Sequence, residues 1–308
     1  MIAYLLRRLF RIPLVLIASF VPAFLLVHAA PNGPFDPARA LPLAVETALA
    51  GSCDLDEPLL LEMLAALISW LRLDVDGCTG ISLVDAGAVL PAIARALVPT
   101  LQLALLAIVL ALVLGVGGGI VAATATAKVS ERFSRSALAV VAAMPAFVLA
   151  PFLVLVGSLW LPLFSPARFL SPLEMLVPAG ALGLAFGAAV ARVTCDALRA
   201  PEAVKRRTVD VARGLPRWRA RLRGLRLALL AVLAGLAPMA SAIVMGAISV
   251  EIVFDLDGLG PLVVQAAAGR DYNLLLGGVL AYAALLLTLH LGTDTLYGAL
   301  DPRVRSAR

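Results

Sequence analysis

Six stretches of this chain run without an aspartate, glutamate, lysine or arginine for about the length that crosses a bilayer, and they leave few choices of fold. They are Ile12–Ala30, Ala96–Ala127, Ser136–Ala167, Met175–Ala191, Leu227–Val250 and Tyr272–Thr293. A spanning helix needs roughly 20 apolar residues, with a range of about 17–25. Apolar residues make up 62% of the 308 and charged residues only 15%, with a mean hydropathy of +1.00. A soluble domain is nearer half apolar and about a quarter charged. The apolar runs are continuous rather than alternating, which excludes a membrane β-barrel. The expected class is an all-α polytopic membrane protein with six transmembrane helices.

Where the charges fall sets the topology. The segment from Arg192 to Arg226 carries eleven of the chain's 25 lysines and arginines against Asp196, Glu202 and Asp210. Short basic loops between spans stay on the cytoplasmic side. Met1–Arg11, the segment around Lys128, Arg132 and Arg135, and the tail Asp301–Arg308 are basic too. Both termini are therefore expected in the cytoplasm, and the net charge of +5 reflects topology rather than nucleic-acid binding. Arg7-Arg8-Leu9-Phe10 faintly resembles a twin-arginine signal, but Ile12–Ala30 is long enough to read as an uncleaved first span.

This topology divides the chain into three parts: residues 1–30, an N-terminal tail and first span; residues 31–95, an external loop; and residues 96–308, a five-span core holding the basic segment 192–226. The external loop bears nine acids against three arginines. Its Leu59–Leu73 stretch reads as an amphipathic helix at the outer membrane face. Cys53 and Cys78 both fall there, in oxidising territory, so a disulfide and two separate thiols are both open readings. In the core, Gly115 and Gly119 have the small-xxx-small spacing of tightly packed helices. The third span is placed at Ala137–Leu159, where Pro145 and Pro151 are expected to kink it.

Enzyme chemistry has little to work with. The histidines are His28 and His290, both in apolar runs, and no His/Cys grouping has metal-ligand spacing. No phosphate-binding P-loop is present. His290 and Asp294 lie four apart on one helix face, and such an intramembrane pair reads either as a proton relay or as glue between helices. Glu251, closing the fifth span, opens an expected external turn to Tyr272, with Gly258 and Gly260 supplying tight backbone and Glu251 at the outer mouth of a pathway. Within the basic segment, Glu202–Arg213 is expected to be a short helix, with Pro201 suited to its start and Gly214 to the residue past its end.

Val250–Gly277 (V-E-I-V-F-D-L-D-G-L-G-P-L-V-V-Q-A-A-A-G-R-D-Y-N-L-L-L-G) resembles the inner-membrane permease subunits of dipeptide/oligopeptide/nickel-type ABC importers, with their V-E-x-V-F-x-x-x-G-L-G turn and following R-D-Y. Asp294–Arg305 is similar to that family's D-x-x-Y-x-x-x-D-P-R-x-R tail, and Tyr4-Leu5-Leu6-Arg7-Arg8 to its start. The resemblance implies the type I permease fold of ABC importers in a bacterial inner membrane. It also implies a coupling helix ending in Ala-x-Gly, to which Val204, Asp210, Ala212, Arg213, Gly214 and Leu215 correspond. Lys205, Arg206 and Arg207 depart from the acidic residue and tyrosine usual there. Implied partners are a second permease, two ATPase subunits and an external solute-binding protein, with ATP and magnesium held by the ATPases and no cofactor in this chain. An ion-coupled transporter using Asp294 and His290, and a degenerate permease kept for assembly, are the competing readings.

Overall fold

The computed structural model describes residues 11–29, 58–72, 78–84, 87–124, 128–160 and 175–300. Eleven α-helices occur among them: α1 Arg11–Ala29, α2 Leu59–Arg72, α3 Val89–Thr124, α4 Lys128–Ala143, α5 Ala146–Val154, α6 Leu176–Arg199, α7 Pro201–Ala212, α8 Arg217–Ala234, α9 Leu236–Val253, α10 Leu259–Gly269 and α11 Tyr272–Leu300. The rest of the described chain includes a 3₁₀ turn at Cys78–Gly80, a π-helical turn at Leu155–Trp160 and an isolated antiparallel bridge between Ile81 and Ala88.

Five helices are long and apolar enough to cross a membrane, namely α1, α3, α6, α9 and α11. A sixth crossing requires counting Ser136–Ala143 and Ala146–Gly157 as one span, and these are bent by 98°. The kink expected in the third span is thus a sharp break at Pro145, while Pro151 lies within α5. Pro145 is the reason: it is extended, at φ −61° and ψ 145°, and cannot donate the bond that would continue α4 into α5. Many large apolar side chains on these helices lie open, among them Leu26, Val113, Val121 and Met245. In lipid such faces are where they belong, because the bilayer is as apolar as they are.

The fifth span also differs from expectation. Leu227–Val250 is not one helix: the chain breaks at Gly235, and the apolar span is Leu236–Val253. Pro238 stands in the first turn of α9 and has no N–H for the Ala234 carbonyl. Glu251 is consequently inside α9 rather than beyond it, and it is fully buried. The expected turn from Glu251 to Tyr272 is instead mostly helix, with Leu259–Gly269 forming α10.

By contact the chain divides into two compact units, 1–100 with 257–288, and 101–256 with 289–308. In the first, Phe20, Phe24 and Val27 of α1 pack with Ala66 and Leu67 of α2, with Leu83, and with Tyr272, Leu276 and Leu280 of α11. Within a spanning helix this contact is held by close packing rather than by removal of the rings from water. His28 stacks on Phe24 and lies 3.2 Å from Glu62, joining α1 to α2. The amphipathic α2 is therefore seated on the core through one face, while Leu60 and Leu61 remain exposed. Gly277 of α11 makes room for the Trp70 ring, which occupies the place a Cβ would take.

In the second unit α6 is the central helix, packing against α4, α5, α7, α8 and α9. Over half of its apolar window is buried (56%), against 17% for α1 in its own unit. Small residues allow this. A Cβ added at Gly115 would lie 2.7 Å from the Gly187 carbonyl oxygen, and one at Gly119 2.7 Å from that of Ala191. Gly183 meets Leu110 in the same way. The expected close packing at Gly115 and Gly119 is thus a backbone-to-backbone contact between α3 and α6, which only glycine permits.

Candidate functional site

α7 is a helix with no buried residue, held out at the end of α6. Ala200 leaves α6 in extended conformation (φ −52°, ψ 138°), and Pro201 then begins α7 with its fixed φ. Val204 N–H bonds the Ala200 carbonyl at 3.0 Å. Glu202 sits in the first turn, where a negative charge favours the helix dipole. The helix ends in a Schellman motif: Leu215 N–H donates to the Asp210 carbonyl at 3.1 Å and Gly214 N–H to that of Val211 at 3.0 Å. This closure needs a left-handed residue, and Gly214 supplies it with φ +83°. The Ala212-Arg213-Gly214 sequence therefore has a mechanical meaning. It stops α7 and turns the chain toward Pro216, which starts α8.

The helix presents two kinds of surface. Asp210 faces α8 and accepts from Arg223 at 3.0 Å. On the opposite side Lys205, Val209 and Ala212 are exposed, and Val204 and Val211 are exposed on a flank. Val209 lies beside Lys205 and Ala212, while Val204 and Val211 flank Arg207, so the helix offers a soluble partner open valines next to basic side chains. Val204, Asp210, Ala212, Arg213, Gly214 and Leu215 are thus brought together on one short protruding element.

The turn before α10 is built differently from the expectation. Gly258 is extended (φ −94°, ψ 179°) and Gly260 lies within α10, so neither takes a left-handed conformation. Asp255 does, at φ 50°, closing α9 by a second Schellman motif in which Leu256 N–H bonds the Glu251 carbonyl at 2.9 Å. Gly258 serves α10 as its N-terminal cap position, and Leu259 N–H is taken by Thr100 Oγ1 at 2.8 Å. Thr100 is fully buried, and nothing in its sequence setting marks it.

A clasp follows, which the sequence indicates only through Arg270-Asp271-Tyr272. Arg270 is left-handed (φ 57°) and closes α10. Asp271 then accepts from the Ser82 hydroxyl, from Leu83 N–H at 3.1 Å and from Leu274 N–H at 3.2 Å. Asn273 donates to the Ile81 carbonyl at 2.8 Å. The segment 81–84 is thereby fastened to the start of α11.

His290 and Asp294 share α11 as expected. His290 hydrogen-bonds the Ser241 hydroxyl of α9, so it joins two helices of the second unit. Among the described residues no three His, Cys, Asp or Glu side chains are placed to hold a metal. Cys53, the Cys78 side chain and the tail Asp301–Arg308 lie outside the described residues, and Cys195 is buried in α6.

Residues 115–306 match the family described as the binding-protein-dependent transport system inner membrane component. The oligopeptide transport system permease protein OppB of Salmonella typhimurium is 30% identical across 99% of this chain and 100% of its own. The glutathione transport system permease protein GsiC of Shigella flexneri is 30% identical, covering 99% of each. The dipeptide transport system permease protein DppB of Bacillus subtilis is 27% identical, over 99% of this chain and 98% of its own.

Proposed function

Because the chain belongs to the family of binding-protein-dependent transport system inner membrane components, we propose that α7 and the turn after it are the seat of the ATPase that drives it. The chain itself is a multi-pass permease subunit of an ABC importer with the type I permease fold, and it is not an enzyme. The energy source is a separate subunit, and a solute-binding protein supplies the cargo. In our reading ATP and magnesium reside in the ATPases and this chain holds no cofactor.

Two ATPase subunits and a second, similar permease would complete the assembly, each permease forming half of the pathway. The basic segment 192–226 and both termini face the cytoplasm in a bacterial inner membrane, as the lysine and arginine distribution favours. Residues 31–95 and the turn Glu251–Gly260 then serve the outer side, where the binding protein docks and the outer gate closes. The clasp of Asp271 on 81–84 would keep that outer segment in register. The substrate class is small peptides or related solutes, the cargo named for the relatives.

The coupling mechanism follows from the shape of α7. Closure of the ATPases moves the groove in which the helix sits. A rigid helix tied to α6 by one extended residue and to α8 by the capped turn from Arg213 to Pro216 passes that movement to both. Differential contact in the two ATPase states then shifts the population between outward- and inward-facing permease. The observation that carries this reading is a capped helix that buries no residue and bears open valines. His290 bonded to Ser241 favours a helix-joining role over a proton relay.

The test is Ala212→Trp in the assembled importer, reconstituted in proteoliposomes. Uptake driven by ATP is expected to fall at least tenfold with the ATPase no longer retained on the membrane. Unchanged uptake and retention would remove α7 as the seat.

A further inference from the structure

A groove of about 330 Å³ opens where the ends of α3 and α6 meet α7 and α8. Its wall is apolar, built from Ile120, Ala123, Leu198 and Leu225. Arg207 of α7 and Trp218 and Arg221 of α8 line it as well. A Cβ at Gly224 of α8 would lie 3.6 Å from Leu198 of α6, so packed helices frame the groove. Arg199 donates to the Ala122 carbonyl at 2.8 Å and fixes the end of α3 against α6.

Two further observations say what kind of molecule fits. The first half of α8 carries arginines at 217, 219, 221, 223 and 226. Trp218 and Leu222, four apart and on one face, are 58% and 54% exposed. The Arg219 guanidinium lies 5.0 Å over the Trp218 ring. A basic helix with tryptophan and leucine open on one face is the pattern of a segment lying at headgroup level.

We propose that this groove holds an anionic phospholipid of the adjoining leaflet, with its phosphate between Arg207 and Arg221 and the top of one acyl chain along Ile120, Ala123 and Leu198. A polar ligand alone would leave the apolar wall unused, and a zwitterionic lipid would bring its own ammonium group up against two arginines. Basic pockets between spanning helices select anionic headgroups on this ground. Arg207 lies on the Val204–Val211 flank of α7, away from Lys205, Val209 and Ala212, and a substitution at Ala212 leaves both arginines in place.

The test reconstitutes the full chain, with Trp70→Phe and Trp160→Phe leaving Trp218, in nanodiscs of phosphatidylcholine. Either dibrominated phosphatidylglycerol or dibrominated phosphatidylcholine is titrated in over the same range of mole fraction. Phosphatidylglycerol is expected to quench Trp218 at roughly tenfold lower mole fraction. The preference should vanish in Arg207→Gln/Arg221→Gln. Equal quenching by both lipids, or a preference that survives the double substitution, overturns the proposal. Native mass spectrometry of the chain with its tryptophans intact provides an independent reading: phosphatidylglycerol retained after detergent extraction should be lost in the double variant, and equal retention contradicts the site. Brominated lipid is present in both leaflets of a nanodisc. The result therefore does not depend on which side α8 faces, and failure of the cytoplasmic orientation would be seen separately.

Discussion

The Leu215 N–H donates to the Asp210 carbonyl oxygen at 3.1 Å, reaching back across Gly214 to close α7. That one bond makes the helix a finished, self-capped element rather than the frayed end of a loop. Everything proposed for coupling depends on the chain turning there.

A substitution series at Gly214 should follow left-handed propensity rather than size. No atom lies within 4 Å of where its Cβ would be, so the cost is in the backbone alone. Asparagine, which tolerates φ near +83°, should retain most ATP-driven uptake. Alanine should cost roughly 1–2 kcal/mol at the turn, and valine more. Uptake by Gly214→Asn, Gly214→Ala and Gly214→Val is expected to fall in that order, measured at equal membrane content.

The contact between α3 and α6 predicts a contrast among neighbouring glycines. Gly119→Leu would drive a side chain into Thr194 and the Ala191 carbonyl, and overpacking of this kind costs typically 1–3 kcal/mol. Gly117 faces open space, so Gly117→Leu should change the thermal midpoint of the purified subunit very little. A scanning-fluorimetry comparison of the two checks this. Equal midpoints would contradict the packing.

Asp271→Ala would strip the acceptor from the Ser82 hydroxyl and from two backbone N–H groups. A buried donor left without its partner costs about 1–3 kcal/mol. Residues 81–84 should then become sensitive to protease, while Ser82→Ala, which takes the acceptor from the Val84 N–H alone, should have a smaller effect. Limited proteolysis with mass-spectrometric mapping reads the difference.

The Asp210–Arg223 pair should matter little by itself. The Arg223 side chain is 63% exposed, and exposed pairs of this kind are worth roughly 0–1 kcal/mol. Arg223→Gln is expected to leave thermal stability within error and to reduce uptake by less than about threefold, in contrast to Gly214→Val.

Several of these elements are legible in the residues. Pro201 and Gly214 bracket α7 because a fixed φ starts a helix and a free φ ends one, and both signals are local. Gly115 and Gly119 announce a close helix contact by spacing alone. Other features turn on one residue outweighing a longer pattern. Leu227–Val250 is uniformly apolar, so its break at Gly235 hinges on the missing N–H of Pro238. Pro145 likewise bends an unbroken apolar run by 98°. Gly258 and Gly260 suggest a strained turn, but the left-handed residue is Asp255, and the glycines instead cap α10 and lie buried at its start. Thr100 and Ser82 owe their roles to partners far along the chain, at Leu259 and Asp271, and sequence-local reasoning has no access to such pairs.

The most direct test of the coupling reading is photo-cross-linking from Ala212→Cys, carrying a benzophenone on the thiol, in membranes containing the assembled importer. The account predicts a cross-link to the ATPase subunit whose yield changes when ATP binds. An importer that hydrolyses ATP and transports normally, yet gives no cross-link between this position and the ATPase, would contradict it.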